Sequence, residues 1–237
     1  MAIRIRKNGI QCPWSTYQIL SWLSYIFSVL VFYLQISPCY TFYTRISINL
    51  AIALTLCLII WYLIMLTISD PSDPLVTAYM TSKDLSYKKS LSDSTTRHCN
   101  YCDSPVSGIS TKHCLRCNRC TIQFDHHCKF VNNCVGKNNY TLFFKLIVSV
   151  QIHECFVCAI ILHFLIINSE NYTEYYIFIF GALLKSALVW VLNGYLIGFH
   201  LFLLKKKMTT YEYIVVRRKA KACVSPNQNM SDTNIMY

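Results

Sequence analysis

The sequence predicts an α-helical integral membrane protein: four transmembrane helices, with a cysteine-rich cytosolic domain between spans two and three. Three observations carry this. Hydrophobic residues make up 54% of the 237 and charged residues only 14%, where a soluble domain carries about 25% charged residues. The apolar residues gather into four stretches long enough to cross a bilayer. Seven of the thirteen cysteines fall between Cys99 and Cys134, in one stretch that also carries histidines. The length leaves room for a few spans and one compact extramembrane module, not for two soluble domains.

The elements follow in chain order. Residues 1–15 form a short N-terminal segment bearing Arg4, Arg6 and Lys7. Residues 16–36 are the first span; the apolar run exceeds a signal-peptide core and lacks a small-residue cleavage site, so it reads as a retained anchor. Residues 46–68 are the second span. Residues 69–141 form a long loop, with the cysteine-rich domain at about 97–141. Within it, the Ser/Thr/Lys-rich stretch Thr81 to Thr96 reads as a flexible approach. Residues 142–167 and 176–204 are spans three and four, interrupted by Lys145, His153 and Glu154 in one and by Lys185 in the other. Lys145 lies near a span end and can snorkel; the other three are intramembrane ionisable groups, which are functional suspects, and Glu154 can pair with Lys185 if the two share a depth. Residues 205–237 form a basic C-terminal tail. No internal repeat is visible.

Net charge is +11, and its distribution gives the orientation. Lys and Arg concentrate in the N-terminal segment, the long loop and the tail, while the two short loops hold only Arg45. Positive loops stay on the cytoplasmic side, so both termini and the long loop are expected to be cytosolic. The charge follows the membrane surface, which argues against nucleic acid as a partner and for lipid headgroups. Asn171-Tyr172-Thr173 is a glycosylation sequon in a short loop on the opposite side, too close to the bilayer for efficient use.

The cysteine-rich stretch reads Cys99-x-x-Cys102, then His113-Cys114-x-x-Cys117-x-x-Cys120, then Asp125-His126-His127-Cys128, then Cys134. Cys-x-x-Cys knuckles place two sulfurs on one metal, and zinc takes four such ligands. With two knuckles, two structural zinc sites need eight ligands. The stretch from Cys99 to Cys134 offers seven Cys and three His, so two residues are spare. Spacing does not say which. Asp125, His126 and Cys128 have the types of a nucleophile triad, in which a carboxylate orients an imidazole that takes the thiol proton.

These motifs resemble the DHHC family of protein S-acyltransferases (palmitoyltransferases). The likeness covers some 40 residues of the loop and the four-span layout. Val131-Asn132-Asn133-Cys134-Val135-Gly136 and Asn138-Asn139-Tyr140 are similar to the family's sequence after the nucleophile. Asp70-Pro71-Ser72 stands where the family has Asp-Pro-Gly, and Thr209-Thr210-Tyr211-Glu212 matches its Thr-Thr-x-Glu. The resemblance implies one zinc on Cys99, Cys102, His113 and Cys120 and a second on Cys114, Cys117, His127 and Cys134. It implies Cys128 as acyl-accepting nucleophile, His126 as its base and Asp125 as the residue orienting His126. Palmitoyl-CoA or another long-chain acyl-CoA would be the donor, and the partners would be proteins with membrane-proximal cysteines, with an accessory subunit possible. The setting would be an endomembrane, ER or Golgi. Besides Ser72, the sequence departs from the family's pattern in that ten residues separate Cys102 from His113 where nine is usual, Lys129-Phe130 replaces Pro-Trp, and no clear version of the family's aromatic-and-Asn C-terminal motif is found. Two readings compete with the enzyme: a catalytically silent zinc adaptor, and a transporter, which the lack of repeat symmetry among the spans disfavours.

Overall fold

The computed structural model describes residues 5–91, 97–168 and 176–224; the sequon at Asn171 lies outside them. Among these residues, four helical segments are long and apolar enough to cross a membrane: Thr16–Cys39, Phe42–Ile68, Tyr140–Ile167 and Tyr176–Lys206. The protein is thus a multi-pass membrane protein, and the cysteine- and histidine-rich module lies between the second and third of these segments in the chain.

The chain forms two compact units. The first combines Met1–Trp14, Leu66–Thr141 and Leu201–Tyr237; the second combines Ser15–Met65 and Leu142–His200.

The second unit is the span bundle. Helix α1 (Thr16–Val31) continues through a wide π turn (Phe32–Ile36) into a 3₁₀ turn (Ser37–Cys39). Pro38 sits in that last turn; it lacks an N–H and crowds the carbonyl one turn back, so the helix cannot continue. Helix α2 is Phe42–Ile68, and α5 (Tyr140–Ile167) and α6 (Tyr176–Lys206) complete the set. The bundle buries Val31, Phe32, Ile36, Ile52, Val157, Ile161, Phe164 and Ile179. Many other large apolar side chains point outward, among them Leu34 (71% exposed), Ile166 (74%) and Leu184 (73%). Apolar surface of that extent on helices of spanning length suits contact with lipid.

Polar side chains inside the bundle pair with one another. Lys185 Nζ lies 2.8 Å from Glu154 Oε1, and Glu154 is fully buried. The same ammonium sits 4.6 Å from the centre of the Tyr25 ring, and His153 Nδ1 meets Thr55 Oγ1 at 2.8 Å. Lys185 and Glu154 therefore do share a depth. Lys145 is exposed and lies over the Tyr62 ring at 5.9 Å.

The first unit holds three antiparallel hairpins: β1 (His98–Cys99) with β2 (Ser104–Pro105), β3 (Lys112–Cys114) with β4 (Arg119–Thr121), and β5 (His126–Cys128) with β6 (Asn133–Val135). Helix α3 (Pro74–Thr81) ends where the approach read as flexible begins, and α4 (Leu85–Leu91) lies within that approach, whose residues 92–96 are outside those described. Helix α3 forms because Asp73 caps its first turn, accepting from the Leu75 N–H at 2.9 Å, and Pro74 takes the first helical position. The tail also contains a helix, α7 (Thr210–Val224). Its start is a capping box: the Glu212 carboxylate accepts from the Thr209 N–H at 2.9 Å, and the Thr209 hydroxyl accepts from the Glu212 N–H at 3.2 Å.

Candidate active site and metal centres

The three hairpins repeat one pattern that went unseen in the sequence. Each carries His-Cys, two residues, then Cys or Val, then Asp or Asn: His98-Cys99-x-x-Cys102-Asp103, His113-Cys114-x-x-Cys117-Asn118, and His127-Cys128-x-x-Val131-Asn132. Asp103, Asn118 and Asn132 all have positive φ, at 47°, 49° and 52°. Asp and Asn tolerate this left-handed region better than most residues, so each turn closes the same way. A period of fourteen or fifteen residues with few fixed positions falls below the repeats normally sought in sequence.

Strand alternation then divides the ligands. Successive strand residues face opposite sides. His113 lies opposite Cys120, and His127 opposite Cys134; each pair faces the knuckle of the preceding hairpin. Cys99, Cys102, His113 and Cys120 come together in one cluster, and Cys114, Cys117, His127 and Cys134 in another, with all ligand atoms within 4.8 Å of each other. In the first cluster His113 Nδ1 is 3.3 Å from Cys102 Sγ and 3.8 Å from the sulfurs of Cys99 and Cys120. In the second His127 Nδ1 is 3.3 Å from Cys117 Sγ and 3.8 Å from those of Cys114 and Cys134. A tetrahedral zinc requires sulfur–nitrogen separations of about 3.6 Å, so both donor sets fit the metal.

The thiols themselves call for a cation. A hydrogen bond with Cys120 helps pull Cys102 down to about 4, and hydrogen bonds with Cys114 and Cys134 pull Cys117 far down. Their neighbours move the other way. Cys114 rises to about 11 through its contact with Cys117, and Cys120 and Cys134 are also raised. Like charges at this distance repel, so neighbouring thiols shift in opposite directions; a divalent ion bound here would offset that repulsion.

The third hairpin breaks the scheme. Val131 stands where its second knuckle cysteine would be, and among the described residues no fourth hairpin follows to supply a histidine and a cysteine. Cys128 belongs to neither cluster. His126, one step before the ligand His127, also belongs to neither. Being two apart on β5, His126 and Cys128 share a face opposite His127.

Asp125 is 3% exposed, and its Oδ2 lies 2.7 Å from His126 Nδ1, leaving Nε2 for the thiol side. Burial alone would lower His126, but its hydrogen bonds to Asp125 and Cys128 outweigh burial and push it up to about 9. Burial would raise Cys128; hydrogen bonding and charge from His126, with backbone N–H groups of Val131 and Phe130, leave it below its ordinary value. Asp125 is likewise held low against its burial by His126 and Thr210. The Thr210 N–H donates to Asp125 Oδ1 at 2.9 Å and its hydroxyl to Oδ2 at 2.7 Å. The Thr-Thr-x-Glu motif thus starts a helix and fixes a carboxylate in one turn. The arrangement can supply a thiolate beside an imidazolium, facing partly open space.

A model of the DHHC palmitoyltransferase family matches residues 89–217, more than half of the chain. The chain belongs to this family. Among curated DHHC proteins and their relatives, it is 33% identical over 137 residues to "Probable protein S-acyltransferase 20" of Arabidopsis thaliana, covering 51% of this chain and 19% of that one. It is 34% identical over 108 residues to "Palmitoyltransferase ZDHHC14" of Homo sapiens, covering 43% and 22%, and 35% identical over 111 residues to "Palmitoyltransferase ZDHHC8" of Drosophila melanogaster, covering 45% and 12%. The matched stretch spans about a fifth or less of the length of these DHHC relatives.

Of the residues that build this DHHC site, Asp73 and Arg119 were not singled out from sequence, while Asn133 and Asp70 stood there only as parts of family-like motifs. Asp73 is fully buried and accepts from the N–H and hydroxyl of Ser107 at 3.0 and 2.5 Å and from the Thr111 hydroxyl at 2.8 Å. Its own N–H reaches the Cys120 carbonyl at 2.9 Å. It therefore pins the ten-residue loop that carries the extra residue between Cys102 and His113. The Asp-Pro pair at a helix start was the available signal. Asn133 donates to the carbonyls of Leu66 at 3.0 Å and Ser69 at 2.9 Å, satisfying the end of α2. Its carbonyl oxygen accepts from the buried Arg119, which also pairs with Asp70 at 3.2 Å.

Proposed function

We propose that the chain is a protein S-palmitoyltransferase that moves a long acyl group from acyl-CoA to protein cysteines through an acyl-enzyme on Cys128. The observation that carries this is the Asp125–His126–Cys128 chain of contacts outside both metal clusters, in a member of the DHHC family.

In this reading Cys99, Cys102, His113 and Cys120 hold one zinc, and Cys114, Cys117, His127 and Cys134 the other. Each zinc supplies folding energy to hairpins that have little apolar core. The chemistry belongs to the side chains. The Cys128 thiolate attacks the thioester carbonyl carbon, a new C–S bond forms, and the bond to the CoA sulfur breaks. The His126 imidazolium gives its proton to the departing CoA thiolate. A substrate cysteine then gives its proton to His126, and its thiolate attacks the acyl-enzyme carbonyl. Cys128 leaves as thiolate and the imidazolium is restored. Asp125 holds His126 in the tautomer that points Nε2 at sulfur, and Thr210 holds Asp125. Lys129, beside the nucleophile, suits the CoA phosphates. We place both termini and this site on the cytosolic face of an endomembrane, from the Lys/Arg asymmetry. Substrates would carry cysteines near that surface, and an acyl chain adds a second anchor where one is marginal.

The test separates the half-reactions. Purified protein mixed with palmitoyl-CoA and no acceptor should release CoA in a burst near one per chain, and the isolated acyl-enzyme should pass its acyl group to an added cysteine peptide. A folded protein that releases no CoA is a silent zinc adaptor.

A further inference from the structure

The segment before the first span is built into the cysteine-rich module. The Arg6 N–H donates to the Cys117 carbonyl at 2.9 Å, and its guanidinium donates to the Cys117 sulfur at 3.5 Å and to the Pro13 carbonyl at 3.2 Å. The Gly9 N–H donates to the Thr67 carbonyl at 2.7 Å, and the Asn132 side chain donates to the Pro13 carbonyl at 3.0 Å. Arg119 donates to the Lys7 carbonyl. At Gly9 the strap lies so close that an added Cβ would sit 2.0 Å from the Val131 carbonyl oxygen. The segment bridges the Cys117 knuckle to the turn of the hairpin that bears His127 and Cys128.

Arg6 is 8% exposed, and among the described residues no carboxylate pairs with it. A buried guanidinium needs an anion. The group its fork reaches is the sulfur of a metal-ligating cysteine. Three thiolates and a neutral imidazole around a divalent zinc carry one net negative charge, which one arginine balances. Hydrogen bonds to ligand atoms orient them and tune the metal.

We propose that Arg6 is a positioning residue of the second metal site: through its bond to Cys117 it neutralises the zinc–thiolate centre, and with residues 7–13 it holds the hairpin of His127 and Cys128 against that centre. This rests on the reading that the cluster binds zinc, and it extends the site beyond the cysteine-rich stretch to a residue more than a hundred positions away.

The test does not use acyl transfer. The full chain in detergent is first assayed for zinc, with two per chain expected. It is then exposed to a chelator and iodoacetamide, and alkylation of each cysteine is followed by mass spectrometry for the native protein, Arg6→Gln and Arg6→Lys. In Arg6→Gln the set Cys114, Cys117 and Cys134 should become reactive roughly 10- to 100-fold faster, with Cys99, Cys102 and Cys120 unchanged. Arg6→Lys keeps the cation without the fork and should fall between; it carries the test if Arg6→Gln does not fold. Unchanged rates, equal acceleration of both sets, or Arg6→Lys behaving as Arg6→Gln would overturn the proposal. A native protein without zinc would overturn the zinc reading and this proposal with it, an outcome the initial zinc assay tells apart from unchanged rates in a zinc-loaded protein.

Discussion

Thr210 grips both carboxylate oxygens of Asp125, donating its N–H to Oδ1 at 2.9 Å and its hydroxyl to Oδ2 at 2.7 Å. Asp125 in turn holds His126. A residue 82 positions beyond Cys128 (210 against 128) thereby governs the imidazole beside the thiol. Thr210→Val removes one of the two donors while keeping the backbone N–H and the shape. A hydrogen bond to a charged group contributes about 1.5–3 kcal/mol, so the rate of enzyme acylation should fall about tenfold or more with zinc content unchanged. Single-turnover kinetics of CoA release would measure it; a native rate would mean that Thr210 serves only the fold.

The pH behaviour of Cys128 follows from its neighbour. His126 is raised to about 9 and Cys128 is lowered, so the ion pair exists between the two values. As pH falls through the Cys128 value the thiolate is lost; as pH rises through about 9 the imidazolium is lost. Because His126 is raised, its contribution to stability is complete below its unfolded value of about 6.5 and disappears as pH climbs through about 9. Alkylation of Cys128 should therefore titrate with a midpoint below the 8.5 of a free thiol. His126→Ala should move the midpoint up and slow acylation by roughly 10²- to 10⁴-fold. A midpoint that ignores this substitution would rule out the pair.

Metal content should follow the staggered repeat. Cys128→Ser should keep two zincs per chain, whereas His127→Ala, one residue away, should lose the second. Elemental analysis of the purified variants reads this directly. Loss of zinc in Cys128→Ser would mean that the third knuckle is a ligand after all.

Inside the span bundle, Glu154 and Lys185 make a buried ion pair. Removing one partner strands a charge, at a cost of about 3–5 kcal/mol, while replacing both with apolar groups is close to neutral. Glu154→Leu or Lys185→Met alone should lower the melting temperature in detergent markedly, and the double variant should recover most of the loss. Additive losses would mean that the two residues act separately.

Much of this architecture is written in composition. Four apolar stretches in a chain with 14% charged residues leave few alternatives to a bundle of spans, and the knuckles announce metal by spacing alone. Spacing does not say which cysteine goes with which histidine. The family resemblance supplies that partition, and its physical basis is strand alternation in three repeated hairpins, visible once His113 is seen opposite Cys120 and His127 opposite Cys134. Contacts across large sequence separations carry no local pattern. Arg6 on Cys117 and Asp73 on Thr111 are of this kind, since nothing in either neighbourhood names the distant partner. Helix α7 does have a local signal, since Thr209-x-x-Glu212 is a capping box as well as a family-like motif.

The most direct measurement locates the acyl group. Native protein carrying two zincs is incubated with labelled palmitoyl-CoA, digested and mapped by mass spectrometry, with Cys128→Ser alongside. The account predicts a hydroxylamine-sensitive acyl group on Cys128, none on the six cysteine ligands, and none on the variant. An acyl group on Cys99, Cys114 or another ligand cysteine, or equal labelling of Cys128→Ser, would contradict it.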